Sequence, residues 1–558
     1  MQSTEPRAPS LHGMPAEFTV AEVHEAIAAS RPDDVCIAHR DRRLTWAQLT
    51  ERTRRLANHF LAEGLGCHTE RTSLAGHESG QDHLAIYLHN GVEYLETMLG
   101  AFKARVAPFN VNYRYRAEEL RYVLADAGAT AVVLHSRFTR TLAEVLPHLP
   151  RLRVIVQVPD TSELPLLPGA IWYDDALAAA ASHRPEVTWR ADDLYILYTG
   201  GTTGMPKGVL WRNGDANVEC FGGSRAISLT DVVAAADGTL RALLAPPFMH
   251  GAAHWMSFRT WNMGGTVFIQ DHTDHFDAHD VWSTVERERC NFLLIVGDAF
   301  ARPLLDDLDV HTYDLSSLTV LLTGGAPLNA RLKEELLRRL PTVMIVDGLG
   351  SSEAGGQITH VSAGAGATTG TFPLAPGNHV LSAALDRVLR PGDGELGWLA
   401  KSGRLALGYL GDPAKTERTY PVIDGVRYVV PGDRAVLHAD GVAEVFGRDS
   451  VTINSGGEKI FAEEVEAAVK AHPSVYDCVV TGRPSERWGE EVVAIVRLRD
   501  GHEVGDHDLL ATASEHLSRF KLPKSIVIVP QNVRSPAGKA DYRWAREVAS
   551  VSVSGRSV

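Results

Sequence analysis

Leu194-Tyr-Ile-Leu-Tyr198-Thr-Gly-Gly-Thr-Thr-Gly-Met-Pro-Lys207-Gly208 joins a strand-like apolar run, Leu194–Leu197, to a turn of glycines, hydroxyls and one lysine. Gly200, Gly201 and Gly204 let the backbone turn tightly and offer its N–H groups to phosphate oxygens. Thr199, Thr202 and Thr203 add hydroxyl donors, and Lys207 adds a cation. A Walker A loop would set its lysine directly after the last glycine and before a Ser or Thr. Here Met205 and Pro206 intervene and Gly208 follows, which disfavours a P-loop NTPase.

Working outward, apolar runs alternate with amphipathic stretches. The runs at 130–134, 154–158, 293–296, 318–322 and 342–346 read as strands, and 117–127, 278–288 and 330–340 as helices. This alternation predicts an α/β architecture with largely parallel sheets. A helix is expected over 45–63, with Thr45 and Gln48 as a capping box, Leu49, Thr53, Leu56 and Phe60 on one face, and Gly64 closing it. Near residue 448 the pattern changes to helix 462–471, strands 478–481 and 492–498, helix 507–518 and strand 525–529, enough for a small α+β domain. Gly441, Gly447 and the polar run 448–452 suit a hinge, dividing the chain into 1–447 and 448–558. Residues 1–20 read as a loose lead-in and 361–370 as a flexible loop.

Composition narrows the classes. A chain of 558 residues exceeds one hydrophobic core, so several domains are expected. A net charge of −14 argues against a dedicated nucleic-acid binder, while leaving small anionic ligands open. Five scattered cysteines without a C-x-x-C indicate neither a disulfide framework nor a zinc knuckle. With no signal pattern and no apolar run long enough to span a bilayer, the cytoplasm is the expected compartment.

Further motifs follow in order: Thr323-Gly324-Gly325-Ala326-Pro327, Asp347-Gly348-Leu-Gly350-Ser351-Ser352-Glu353, Gly394-Glu-Leu through Gly408-Tyr409 to Thr416, and Gly432-Asp433. Then come Gly447-Arg448 leading to Ser455-Gly456-Gly457-Glu-Lys-Ile-Phe, and Pro536-Ala-Gly538-Lys539. With the turn at 198–208, this series resembles the adenylate-forming enzymes, which include acyl-CoA synthetases, aryl-CoA ligases, luciferases and adenylation domains. The similarity spans about residues 25–545.

The resemblance implies a large multi-subdomain N-terminal domain with parallel-rich sheets and a small mobile α+β C-terminal domain. It implies ATP, Mg²⁺ and coenzyme A as cofactor and co-substrates. Thr199, Gly201, Thr202, Thr203, Gly204 and Lys207 would hold phosphates. Gly324, Gly325 and Ala326 would meet adenine, with Asp347, Gly348, Gly350, Ser351 and Ser352 beside the nucleotide. Glu353 would hold Mg²⁺, Asp433 the ribose hydroxyls, and Arg448 ribose or phosphate. Lys539 would be the adenylation cation, and Gly456 and Gly457 would line the pantetheine path. His250, in Pro246-Pro-Phe-Met-His250-Gly-Ala-Ala-His254-Trp255, matches the family's aromatic gate beside the carboxylate. The catalytic set is thus Lys539, Thr203, Glu353 and His250. Departures stand at Gly200 for a hydroxyl residue, Leu349 for tyrosine and Ser450 for the hinge Asp or Lys.

A carboxylate is a poor acyl donor, and forming an acyl-adenylate solves this, provided cations and donors gather at the α-phosphate. Details such as Asp-Gly-Leu-Gly-Ser-Ser-Glu look like the bacterial branch acting on steroid side-chain acids. Medium- or long-chain fatty acids, a carrier-protein loader and a nucleotide-binding regulator remain alternatives. Luciferase-type oxygenation has no motif in its favour. Small molecules, not nucleic acid or membrane, are the expected partners, and a homodimer stays open. The series His272, His275 and His279, with Asp271, Asp274, Asp277 and Asp280, reads as the polar start of a helix rather than a metal site. Whether Trp255, Asp298 and Phe300 line an acyl tunnel is not legible here.

Overall fold

A computed structural model of the chain describes residues 17–551, apart from 202–203, 224, 226–227, 365–366, 456–457, 486–487 and 536–537. Two eight-stranded sheets hold most of the chain before residue 363. The first runs Ile171–Trp172, Val154–Val158, Ala131–His135, His83–Tyr87, Ala107–Asn110, Leu194–Gly201, Gly204–Arg212 and Gly408–Tyr409, parallel as far as Leu194–Gly201. The second runs Gly355–Ser362, Met344–Ser351, Val320–Gly324, Phe292–Ile295, Arg241–Leu244, Thr266–Ile269, Val35–His39 and Arg42–Thr45, with antiparallel pairs only at its two ends. Parallel strands are covered by helices on both faces and read as unbroken apolar runs. His83–Tyr87, Val154–Val158 and Thr266–Ile269 are buried at every position.

The expected strands and helices before residue 347 all form, with ends shifted by a residue or a few. The helix expected at 45–63 is Trp46–Ala62, with Thr45 and Gln48 closing the reciprocal capping box. Gly64 takes φ +71°, and Leu65 N–H donates to the Phe60 carbonyl, completing a left-handed helix end.

Two expectations need correction, and one sheet was missed. Residues 1–16 of the expected lead-in lie outside the described residues, but Thr19 forms a capping box with Glu22 and starts the helix Val20–Ser30, and Glu17 pairs with Arg212 and Arg404. The two eight-stranded sheets are parallel-rich as expected, but the sequence reading missed a third. A seven-stranded antiparallel sheet follows, ordered Thr371–Pro373, Val442–Arg448, Asp433–Leu437, Leu396–Ser402, Val426–Val429 and Val422–Ile423, with Asn378–Leu381 beside Leu396–Ser402. Short strands broken by Gly, Pro and Asp hid it, since alternation over a few residues is a weak signal. The helix expected at 507–518 is Asp506–Ser514, ending before the 3₁₀ turn Arg519–Lys521.

The antiparallel sheet ends at Arg448, and Ile453–Ser455 opens another. This last sheet orders Glu458–Ile460, Ile453–Ser455, Gly489–Leu498 and Val475–Ser485, with Ser525–Ile528 parallel to Gly489–Leu498. Helix Ala462–Lys470 packs on it, burying Val465, Ala468 and Val469 with Val480 and Val496. Among the described residues no helix is long and apolar enough to cross a membrane.

Candidate active site

In open α/β sheets, ligands sit beyond the carboxyl ends of the strands. Ile295 pairs with Thr323, and Thr323 and Gly324 pair with Asp347 and Gly348, so three chain segments leave the second sheet side by side. Gly325 takes φ +83°, which lets the chain turn across this edge.

The phosphate turn is a hairpin: Tyr198 opposes Gly208, Thr199 opposes Lys207, and Gly201 opposes Gly204. Thr202 and Thr203 lie outside the described residues. Asn110 ties the hairpin to the histidine segment, accepting from Tyr198 N–H at 2.8 Å and donating to the Tyr198 and Met249 carbonyls at 2.9 and 2.7 Å. The Tyr198 ring covers Gly208, where an added Cβ would lie 2.8 Å from it. Tyr198 donates its hydroxyl to Asp126 at 2.8 Å, and Lys207 Nζ stands 3.4 Å from the same carboxylate. Lys207 therefore braces the hairpin against helix Ala117–Asp126.

Glu353 follows the strand Met344–Ser351. Tyr409 donates to its Oε1 at 2.7 Å, Tyr420 to its carbonyl at 3.4 Å, and Trp211 to the Ser352 carbonyl at 2.8 Å. Glu353 makes no ion pair among the described residues. Two neighbours face elsewhere. Asp347 accepts from the buried Lys333 at 2.6 Å, and the Ser351 hydroxyl accepts from Ala354 N–H within its own turn. Asp433 and Arg448 oppose each other on paired strands, 3.7 Å apart. Burial raises the Asp433 pKa against the pull of Arg448.

Lys539 arrives from the C-terminal domain on a tight turn, in which Ser535 N–H donates to the Lys539 carbonyl at 2.8 Å and Arg534 bridges Ala540. Gly538 (φ +78°) packs on Val296, where an added Cβ would meet the side chain at 3.0 Å. The Lys539 Cε lies about 4.0 Å from the point where a Gly325 Cβ would stand. Lys539 is exposed at its surface, yet protein closes around its charged end. That surrounding, then the Arg448 charge, lowers its pKa against the pull of Glu353. His250, the N-cap of Gly251–Asn262, stands in the same field. Burial first, then the charges of Lys539 and Arg114, lower its pKa to about 3, so it is neutral at pH 7. Its Nε2 is buried without a partner among the described residues. A small cleft opens beside Pro247, walled by Tyr113, Arg114, Phe276 and Phe300.

Phe300 thus lines a cleft, whereas Trp255 donates to the buried Tyr195 hydroxyl at 2.9 Å. Asp298 turns to the C-terminal domain, where its carboxylate meets Lys470 at 2.6 Å. Gly456 and Gly457 lie outside the described residues. Asp280 accepts from the amides of Asp271 and His272, and Asp277 caps the helix Ala278–Glu288, as expected for a polar helix start. A different trio, His279, Asp307 and His311, does gather, with candidate ligand atoms within 4.8 Å of one another. With Tyr313 it forms a hydrogen-bonded chain of imidazole, phenol, carboxylate and imidazole. Sequence reasoning missed Tyr409, Asn110 and Asp126. Only Tyr409 stood within a quoted motif, and there it read as structural.

The AMP-binding enzyme family matches residues 24–410, and the AMP-binding enzyme C-terminal domain matches 464–539. The chain is 53% identical over 540 residues to the medium-chain acyl-CoA ligase Mig of Mycobacterium avium, covering 95% of this chain and 98% of that protein. It is 38% identical to the 3-oxocholest-4-en-26-oate–CoA ligase of Rhodococcus rhodochrous, covering 95% and 96%. Among solved structures, the anthranilate CoA ligase AuaEII in complex with anthranoyl-AMP superposes with a TM-score of 0.81 at 19% identity, covering 96% and 98%. ATP-bound MatB of Rhodopseudomonas palustris gives 0.78 at 23%, covering 95% and 99%. These matches span both parts of the chain: the chain belongs to the AMP-binding enzyme family and is an AMP-forming acid–thiol ligase.

Proposed function

We propose that this ligase activates an apolar carboxylic acid, with medium-chain fatty acids as its main substrates, and passes the acyl group to coenzyme A. The carboxylate attacks the α-phosphorus of ATP, forming acyl-AMP and releasing pyrophosphate. The CoA thiol then attacks the acyl carbon, and AMP leaves. One observation carries the reading: Lys539 reaches the Gly325 turn, close enough to Glu353, Arg448 and His250 to share their electrostatic field.

In the first step two anions must meet, so pre-placed positive charge lowers the barrier most. Lys539 supplies it at the α-phosphate, with backbone amides of the hairpin beside it. Neutral His250 borders the carboxylate without adding a charge that would hold the substrate too firmly. Asp433 accepts from the ribose hydroxyls, and Arg448 neutralises it or a phosphate. Magnesium fits Glu353, an oxygen donor oriented by Tyr409 and free of an ion pair among the described residues. When bound it would offset triphosphate charge.

Identity to the medium-chain ligase supports the chain-length assignment. The 38% relative, named for a steroid acid, favours a second reading in which C24–C27 steroid side-chain carboxylates are also accepted. Cytoplasm is the compartment that fits ATP and CoA as substrates. Pyrophosphate release and thioester formation, followed by mass spectrometry over fatty, aryl and steroid acids, test the assignment. Thioester from C6–C12 acids supports it. Pyrophosphate without thioester would point to a carrier-protein acceptor, and neither product would overturn the reading.

A further inference from the structure

We infer that Asp298 and Lys470 form a positioning pair that docks the C-terminal domain where Lys539 reaches the nucleotide, serving adenylation and not thioester formation. The inference rests on the two-step reading above.

Helix Gly297–Leu308 places Asp298, Arg302 and Asp306 at i, i+4 and i+8, on one face. That face meets the C-terminal domain at three points. Lys470 Nζ donates to Asp298 Oδ2 at 2.6 Å, Arg302 lies 5.2 Å from the Tyr476 ring centre, and Arg499 reaches Asp306 at 3.4 Å. Only the first is sealed from solvent, with the two side chains 2% and 6% exposed. Asp298 is further held by Asn329, whose backbone and side-chain N–H groups donate at 2.8 and 3.0 Å. Burial opposes its charge, but Lys470 and Arg534 outweigh that cost.

The pair is continuous with the base of the lysine turn. Arg534, the residue where that turn begins, donates to Asp477 at 2.8 Å and Glu466 at 3.3 Å. Glu466 shares helix Ala462–Lys470 with Lys470, one turn away. On the opposite side, Val296 lies two residues before Asp298 and is the seat of Gly538. Charge pairing at Asp298 and packing at Val296 thus fix the turn that carries Lys539 from both ends. A second step in which Lys539 withdraws must separate Gly538 from Val296, and the pair two residues away must part with it.

The test compares the two half-reactions in the full-length enzyme. ATP–pyrophosphate exchange reports adenylation, and thioester formation from supplied acyl-adenylate and CoA reports the second step. Removing one partner of a buried pair leaves an uncompensated charge, so Lys470→Met should slow exchange by about tenfold or more, with the second step kept within about twofold. Lys470→Arg should recover most of the exchange rate. Arg499→Ala, at the rim of the same face, should lower exchange by about threefold without loading a buried charge. Should Lys470→Met not fold, Lys470→Arg and Arg499→Ala decide. Equal losses in both half-reactions, or unchanged exchange in Arg499→Ala together with Lys470→Met, would overturn the inference. A wild-type enzyme unable to make thioester from adenylate would instead sink the two-step reading, which the same assay reports separately.

Discussion

In the proposed site Tyr409 stands outside the reacting set and orients Glu353 within it. On the proposed reading the phenol donating to this carboxylate sets which oxygen would face magnesium, and a hydrogen bond to a charged group is worth about 1.5–3 kcal/mol. Tyr409→Phe is expected to raise the KM for MgATP about tenfold with folding intact, measured by initial rates over magnesium and ATP concentration. An unchanged magnesium dependence would detach Tyr409 from the site. Asp433→Ala should raise the KM for ATP by about tenfold while leaving the second step from supplied adenylate able to run. Motif positions were legible in the sequence, but side-chain directions were not. Lys207 stands where the phosphate motif puts a cation, yet faces Asp126, a residue some eighty positions earlier that no local pattern could pair with it. Asp347 likewise meets Lys333. A motif fixes the path of the backbone, and tertiary neighbours decide which way each charge turns.

The hairpin Leu194–Gly201 and Gly204–Arg212 depends on a missing Cβ. Gly208→Val would force the Tyr198 ring off its seat and loosen its hold on Asp126. The expected result is a clear loss of ATP affinity, larger than any shift in melting temperature, read by nucleotide titration and thermal unfolding together. Thr45→Ala removes an N-cap acceptor from helix Trp46–Ala62 and should cost about 1 kcal/mol in denaturant unfolding, with kinetics unchanged. That helix, with its capping box and Gly64 ending, was fully legible, because its signals are local. Parallel strands such as Val154–Val158 were legible as apolar runs. The antiparallel sheet of Thr371–Arg448 was not, because most of its strands are short, the longer ones mix buried and half-buried positions, and their pairing is fixed by contacts distant in sequence. The change of pattern near residue 448 coincides with one sheet ending at Arg448 and the next beginning at Ile453.

Stability across the molecule should be acid-sensitive well above the carboxylate range. His254 donates from Nδ1 to the Phe248 carbonyl, which can only accept, so Nε2 accepts the hydrogen bond from the Tyr195 hydroxyl and the ring is neutral. Burial lowers its pKa from 6.5 to about 4. Between those values the unfolded chain binds a proton that the folded one does not. Stability is therefore lost as pH falls below 6.5, by up to about 1.4 kcal/mol per pH unit for this residue. His24 and His250 shift in the same direction. Denaturant midpoints should fall between pH 7 and pH 5, and His254→Gln should flatten that fall. The proposed mechanism brings the two domains together at one nucleotide and assigns the first step to Lys539. The decisive measurement is therefore both half-reactions of Lys539→Ala beside the wild type. Pyrophosphate exchange should drop by about a hundredfold or more, while thioester formation from supplied acyl-adenylate continues near the wild-type rate. Equal loss of both, or full exchange without the lysine, would contradict the assignment of Lys539 to the first step.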